Sequence, residues 1–162
     1  MANARALDKR RKSIRNIRKI TRTMELIATA RYKKAMDRAA AVTAYTDRLS
    51  QIVSSLAATG AEVEHPLLEQ RENPRRAALL VLSSNRGLCG GYNASVLRTA
   101  VPRIDEMRKT IGDVNVDVSG KRGINGMKFR DIETDRTFTH FEDQPAYDDV
   151  EKIASGYLVQ YV

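Results

Sequence analysis

The longest regular pattern in the sequence is a repeat of apolar positions, seven residues apart, within residues 1–59. Residues 2–59 contain no proline and no glycine, the two residues that most readily end a helix. A second apolar position recurs three residues after the first, as in the a and d positions of a coiled coil. The pattern predicts a helical seam formed by Leu7, Ile14, Ile17, Thr21, Met24, Ala28, Val42, Leu49, Ile52 and Leu56.

This helix would be on the order of 80 Å long, which exceeds the diameter of a domain of this size. Because most helical stability in proteins comes from packing an apolar face, the seam requires a partner helix. No second long heptad repeat follows Gly60, so the partner is another chain or a part of the protein outside these 162 residues. We expect the second, because the chain stops within an apolar pattern at Tyr161 and Val162.

After the long helix, short apolar runs alternate with helical patterns. This alternation predicts an α/β fold with a mostly parallel sheet, here a partial Rossmann-like domain. The first prolines and a high density of charges over residues 60–76 are typical of a linker. We therefore expect a basic coiled-coil helix over 1–59, the linker over 60–76 and the partial α/β domain over 77–162.

Three strands are predicted in this domain. Residues 77–82 are continuously apolar, which is typical of a central parallel strand covered on both faces. Residues 114–118 alternate valines with Asn115 and Asp117, which predicts a strand with one wetter face. Residues 132–138 predict a weaker third strand.

Three helices are expected between and after these strands. The first has Asn93 as its N-cap and contains Pro102, which should kink it. The second is short and spans about residues 124–129. The last is amphipathic, with Asp148 or Asp149 as its N-cap.

Positive charge is concentrated on the predicted long helix. Residues 1–38 hold thirteen Lys and Arg but three Asp and Glu, a net charge of +10, whereas the whole chain carries +8. The cations surround the seam instead of clustering on one side of the helix. We therefore expect that whatever surrounds this helix is acidic.

The sequence contains no complete catalytic or metal-binding pattern, so we expect no catalytic residue, cofactor or metal. Cys89 is the sole cysteine, expected to be buried or half-buried, and the two histidines, His65 and His140, are expected at the surface or in turns. The turn of residues 83–93 has three glycines but no lysine, and it matches neither the phosphate-binding loop nor the dinucleotide fingerprint. We interpret it as a tight turn.

The basic helix leaves other functions open. Dense Lys and Arg would suit a coiled-coil protein that binds nucleic acid, but Ile14 and Ile17 run through the charged segment, which indicates packing against protein. A helix on a membrane surface would carry more Trp and Phe on its apolar face. A small enzyme that uses nucleotide or phosphate is the third alternative.

Two short motifs, at residues 19–24 and 85–91, carry a resemblance to a known family. Residues 19–24 read Lys-Ile-Thr-Arg-Thr-Met, which resembles the Lys-Ile-Thr-x-Ala-Met of the gamma-subunit family of F-type ATP synthases. Residues 85–91, Asn-Arg-Gly-Leu-Cys-Gly-Gly, resemble its highly specific Asp/Asn-Arg-Gly-Leu-Cys-Gly-Gly turn. The sequence departs from the family pattern at Thr23, usually alanine, and at Ile17, where many members have threonine. The chain resembles the N-terminal portion of the family, without its long C-terminal helix.

The resemblance implies a non-catalytic, central-stalk rotor subunit that couples proton flow to ATP synthesis, with catalysis in the beta subunits. It implies that the C-terminal helix pairs antiparallel with the N-terminal helix inside a ring of alpha and beta subunits. Arg86 is then expected to reach an acidic residue of a beta subunit. Met24 and the cations near it, Arg10, Lys19 and Arg22, are expected to face the acidic interior of the ring.

The resemblance also implies the remaining partners and the location. An epsilon-type subunit and the membrane rotor c-ring are expected to bind the α/β domain, and no nucleic acid is expected. Charges stand where a secretory signal would be apolar, and no run approaches about 18 apolar residues. We expect a peripheral protein at the cytoplasmic face of the cell inner membrane, attached through the complex alone.

Overall fold

The computed structural model describes residues 2–58, 66–67, 73–141 and 145–161. The chain divides into two compact units, Met1–Val63 and Glu64–Val162. Helix α1, Ala2–Ala58, accounts for the described part of the first unit and runs for 57 residues without interruption. The predicted linker, 60–76, and His65 lie largely or wholly outside the described residues.

Hydroxyl side chains along α1 bond within the helix itself. Thr21 Oγ1 donates to the carbonyl of Ile17 at 3.0 Å, and Thr29 and Thr43 donate to the carbonyls four residues before them at 2.8 Å. Serine and threonine readily make this bond to the preceding turn. Because these hydroxyl donors are satisfied locally, they need no hydrogen-bond partner from another helix.

The second unit is a three-stranded parallel α/β structure. The strand order is β1-β2-β3, and both neighbouring pairs run parallel, with Val81 opposite Val118 and Val118 opposite Thr137. The predicted fold class is therefore confirmed. In chain order the elements are β1 (Arg76–Leu82), α2 (Tyr92–Thr110), β2 (Asp113–Ser119), α3 (Lys121–Lys128), β3 (Arg136–Phe138) and α4 (Tyr147–Tyr161).

One face of this sheet packs against α2 and α3 and forms the core. Ile104, Val116, Val118 and Met127 are fully buried there. Burying an aliphatic side chain of this size contributes about 1.5–3 kcal/mol. The apolar positions of α2 and the three alternating valines of β2 thus explain why these residues fold together.

The sheet corrects three sequence predictions. In the described sheet β1 is an edge strand, not a central one, and Leu80 and Leu82 on its second face are 38 % and 57 % exposed. β3 begins at Arg136 instead of residue 132, because the Ile132 N–H donates back to Met127 O at 3.1 Å and cannot join the ladder. The expected wetter face of β2 is wrong at Asp117, which is 1 % exposed.

The helix starts also differ from those predicted. α2 follows Gly91 and α4 begins at Tyr147, so Asn93, Asp148 and Asp149 lie inside first turns and are not N-caps. α3 begins at Lys121, three residues earlier than expected. The two aspartates remain favourable where they are, because carboxylates near a helix N-terminus interact well with its dipole. α2 continues through Pro102 to Thr110, and the kink stays a prediction.

Asp117 anchors α4 to the sheet. Its carboxylate accepts hydrogen bonds from the Arg136 backbone N–H at 3.0 Å, from Arg136 Nε at 2.9 Å and from the Tyr157 hydroxyl at 2.5 Å. Arg136 Nη2 lies 2.7 Å from the same carboxylate, and its guanidinium lies 4.8 Å from the centre of the Tyr157 ring. A buried carboxylate is tolerated only when it is paired and hydrogen-bonded in this way.

This cluster predicts a loss of stability in alkali. Burial, and then the hydrogen bond to Asp117, raise the pKa of Tyr157 from 10.0 to about 12. The contribution of the Tyr157 hydroxyl to the free energy of unfolding is therefore complete below pH 10. It disappears between pH 10 and 12, because the unfolded chain loses its proton there while the folded chain keeps it. Urea midpoints across this range should fall less steeply for Tyr157→Phe than for the wild type. Equal slopes would contradict the role given to this hydroxyl.

An open cleft of about 840 Å³ lies between the second face of β1 and α4. Its lining includes Ala78 and Leu80 from the strand and Tyr157, Leu158 and Tyr161 from the helix.

Within the described residues, no helix is long and apolar enough to cross a membrane. The same residues contain no group of three or more His, Cys, Asp or Glu side chains that could hold a metal.

Candidate functional site

The predicted seam lies along α1 and is exposed. Its large apolar side chains are 44–64 % exposed, from Leu49 at the lower end to Val42 at the upper. Water-exposed apolar residues that repeat along a 57-residue helix form an apolar stripe, interrupted where Arg10, Arg31 and Arg38 occupy positions of the repeat. Such a stripe is the surface that a coiled-coil partner covers.

The cations expected to contact an acidic partner surround this seam. Arg22 pairs with Glu25 at 2.8 Å, but both side chains are more than 60 % exposed, and exposed pairs of this kind contribute about 0–1 kcal/mol. Among the residues that the structure describes, Arg10 and Lys19 have no ion-pair partner. Met24 is 49 % exposed on the same helix. The positive charge of α1 is thus left largely uncompensated.

A second candidate surface is the turn between β1 and α2, residues 83–93. Asn93 holds it together from inside α2: its Oδ1 accepts from the Ser84 N–H at 3.0 Å, and its Nδ2 donates to Ser84 Oγ at 2.8 Å and to Cys89 Sγ at 2.9 Å. Because the amide is fully engaged with the turn, it cannot cap α2. Cys89 is half-buried, as expected, and serves as an acceptor.

The same turn caps α3. The first three backbone N–H groups of that helix, at residues 121, 122 and 123, donate to Asn85 Oδ1, to Ser84 O and to Ser83 Oγ at 2.8–3.1 Å. Helix N-termini bind phosphate through such N–H groups when they are free. Here the turn occupies them, so the N-terminus of α3 has no free N–H group at residues 121–123.

Asn85 and Gly120 fix the turn to the rest of the sheet. Asn85 Nδ2 donates to the carbonyls of Phe141 at 2.7 Å and Thr139 at 3.3 Å, after β3. Gly120 has φ +99°, and a Cβ there would lie 2.2 Å from Ser83 O. Glycine is therefore required at this position, both for its conformation and for the close approach of the two backbones.

Arg86 is exposed at the edge of this turn, beside a polar cleft of about 520 Å³ that Lys121 and His140 also line. The Arg122 guanidinium lies against the backbone of the turn, since a Cβ on Gly87 would be 3.0 Å from Arg122 Nη2. No carboxylate among the described residues pairs with Arg86, Lys121 or Arg122. The turn therefore presents a small cationic surface that the fold holds in position.

The sequence motif draws attention to Arg86, whose role stays a prediction, but it does not indicate the residues that hold the turn in place. Ser83, Ser84 and Asn85 act as caps for a helix that starts 36 to 40 positions later in the chain, a distance at which local patterns carry no signal. The alternation of Asp117 with valines predicts a position on the wetter face of β2, but Asp117 is buried. The one available signal was Tyr157, which recurs on the predicted apolar face of α4 and carries a hydroxyl that needs a partner when buried.

These observations define a coiled-coil α/β protein whose described surfaces are suited to contacts with other proteins. A family model described as ATP synthase matches residues 3–162. The chain belongs to this ATP synthase family.

Named relatives agree with the family. The ATP synthase gamma chain of Rhodopirellula baltica is 74 % identical over 162 residues, which are all of this chain and 55 % of that protein. The ATP synthase gamma chain of Leptospira biflexa is 35 % identical over 161 residues, 99 % of this chain and 56 % of the relative. The ATP synthase gamma chain of Saccharopolyspora erythraea is 41 % identical over 153 residues, which are 94 % of this chain and 49 % of that protein. The chain thus spans about half the length of the curated relatives it matches.

Proposed function

We propose that this chain is the N-terminal part of the central-stalk gamma subunit of an F-type ATP synthase, a rotor component that carries no catalytic residue. The single observation that supports this most strongly is α1, an uninterrupted 57-residue helix with an exposed apolar seam and a cationic surface. A shaft needs length, stiffness and a partner helix, and α1 offers the first two. The catalytic sites are proposed to belong to the beta subunits.

The seam is proposed to pair with a second helix of the same subunit. The gamma-chain relatives extend well beyond the region they share with this chain, which leaves room for such a helix. Burial of the seam in an antiparallel coiled coil would remove its large side chains from water and stiffen the shaft. Residues 60–76 are proposed as the linker from this shaft to the α/β unit.

The cations of α1 are proposed to face an acidic interior of the alpha/beta ring. Charge complementarity across an interface speeds encounter and fixes register more than it adds raw affinity. Arg10, Lys19 and Arg22 are proposed to supply the positive side of that interface, together with the seam residue Met24. Arg86 is proposed to reach an acidic residue of a beta subunit from the turn of the α/β unit.

The remaining assignments follow from the same role. The α/β unit is proposed to bind an epsilon-type subunit and the membrane rotor c-ring, so that the protein lies peripherally at the cytoplasmic face of the cell inner membrane. Proton flow through the ring would turn the shaft. The gamma-chain relatives described above carry no nucleic-acid-binding name, so that alternative is not proposed.

Rotation can drive the catalytic sites in sequence if the shaft differs from side to side. A ligand shifts a conformational equilibrium by its differential affinity for the states, so a shaft that touched three beta subunits alike could favour none of them. The α/β unit supplies such asymmetry, because Arg86 projects from a single turn. One beta subunit at a time would meet it.

Replacing Arg86 with alanine tests this proposal in the reassembled complex. We expect ATP-driven proton pumping to fall several-fold relative to ATP hydrolysis, since a charged contact between rotor and ring is lost while the nucleotide sites are untouched. Nucleotide affinity should stay unchanged. Arg98→Ala, an exposed arginine within α2, is the matched control and should pump normally. Normal pumping by Arg86→Ala would count against the proposed contact.

A further inference from the structure

Leu88 stands out in the turn between β1 and α2 for two unfavourable features. Its side chain is 93 % exposed, and its backbone adopts φ +63°. The left-handed conformation costs a residue with a Cβ roughly 1–2 kcal/mol, whereas glycine adopts it freely. Glycine would therefore suit the fold of this turn better than leucine. No described residue of the α/β unit covers the side chain and offsets the cost.

The turn holds Leu88 in place from both sides. Ser84 Oγ donates to the Arg86 carbonyl at 2.5 Å, before it, and the Tyr92 N–H donates to the Cys89 carbonyl at 3.3 Å, after it. The Cys89 sulfur also accepts from Asn93 Nδ2 at 2.9 Å. An exposed leucine on so constrained a backbone is already ordered for binding, so less conformational entropy is lost when a partner covers it.

The surroundings of Leu88 indicate the chemistry of that partner. Arg86 lies two residues before it, and the Arg122 guanidinium lies against Gly87. Neither arginine has a carboxylate partner among the described residues. A partner that complements this surface presents an apolar recess bordered by acidic side chains. One leucine offers too few carbons to hold a protein on a lipid bilayer, which favours a protein partner.

We propose that Leu88 is the apolar anchor of the contact with the beta subunit, inserted into a recess beside the acidic group that Arg86 meets. This proposal rests on the proposed function and adds to it a second, uncharged half of the contact. Use of the leucine side chain by the partner would account for a leucine at a position whose backbone favours glycine. The two halves differ in their response to salt, since screening weakens charged contacts and leaves apolar ones.

The test uses the complete protein and the alpha/beta ring, with affinity measured at several salt concentrations. Leu88→Gly should bind at least about tenfold more weakly, equivalent to about 1.4 kcal/mol, with the wild-type dependence on salt. Its melting temperature should equal or exceed that of the wild type, because the backbone strain is relieved. Asparagine also tolerates positive φ, so Leu88→Asn should show the same changes as Leu88→Gly. Phe129→Ser, at an 85 % exposed residue outside the turn, is the control and should bind normally.

Arg86→Ala separates this proposal from the function on which it rests. Weak binding by Arg86→Ala with normal binding by Leu88→Gly would overturn the anchor alone. Weak binding by Leu88→Gly with normal binding by Arg86→Ala would support the anchor and contradict the proposed charged contact of Arg86. Normal binding by both variants would overturn both. If Leu88→Gly binds the ring normally but loses binding to anionic phospholipid vesicles, the partner is a membrane and the anchor proposal is wrong.

Discussion

Asp117→Ala is expected to lower the free energy of unfolding of the α/β unit by about 3 kcal/mol or more, the range observed when one partner of a buried ion pair is removed. The substitution leaves the Arg136 guanidinium and the Tyr157 hydroxyl without the carboxylate that both now contact. Arg136 retains 37 % side-chain exposure, so water would solvate part of its charge, and we expect the lower end of that range. The loss is a large fraction of the roughly 5–15 kcal/mol that stabilises a typical domain.

Asp113→Ala is the matched control for this experiment. Asp113 lies on the same strand and pairs with Arg76 at 3.2 Å, but the two side chains are 59 % and 85 % exposed. Exposed pairs contribute about 0–1 kcal/mol, so the control should unfold near the wild-type urea concentration. Asp117→Asn should fall between the two, because an amide oxygen can still accept from the Arg136 N–H. Equal midpoints for Asp117→Ala and Asp113→Ala would show that α4 is held by other contacts.

Gly120→Ala is the second substitution with a large expected effect, a loss of about 3 kcal/mol or more. The new methyl group would lie 2.2 Å from Ser83 O, a backbone atom that cannot move alone, and φ +99° is unfavourable for alanine. Displacing Ser83 would disturb the cap of α3 and the turn that carries Arg86 and Leu88. Loss of structure here should therefore reduce binding to the ring as well as stability.

Gly112→Ala isolates the contribution of backbone strain. Gly112 has φ +94°, close to that of Gly120, but a Cβ there meets nothing within 4 Å. We expect it to cost about 1–2 kcal/mol, the penalty of the conformation alone. Urea unfolding of the two variants side by side measures the difference. Similar losses for both would mean that the approach of Ser83 to Gly120 is not a tight constraint.

The sequence was sufficient for features that depend on local periodicity. The seven-residue spacing of Leu7, Ile14 and Leu49, with no intervening proline or glycine, predicts α1 without reference to any other part of the chain. The alternating valines of β2 and the apolar run of β1 likewise predict strands, and their order with the helices predicts the parallel sheet. Each of these signals is contained within one element.

The sequence was insufficient where distant segments meet. Residues 77–82 are apolar throughout, but coverage of their second face depends on elements elsewhere, and in the described sheet Leu82 is left exposed. Asn93 resembles an N-cap by type and position, but both the oxygen and the nitrogen of its side-chain amide form hydrogen bonds with the turn before it. Asp117 is buried because Arg136 and Tyr157 neutralise and cover it from two later elements. Local preferences in these cases yield to tertiary contacts.

We propose that this protein turns inside the alpha/beta ring as a stiff, cationic shaft. The most direct measurement attaches a visible probe to the α/β unit of the complete protein, at Lys128→Cys with Cys89 replaced by serine, and follows it in an immobilised ring supplied with ATP. We predict continuous rotation in one direction at a rate that follows ATP concentration. Sustained ATP hydrolysis by the ring while the incorporated probe stays still would contradict this account.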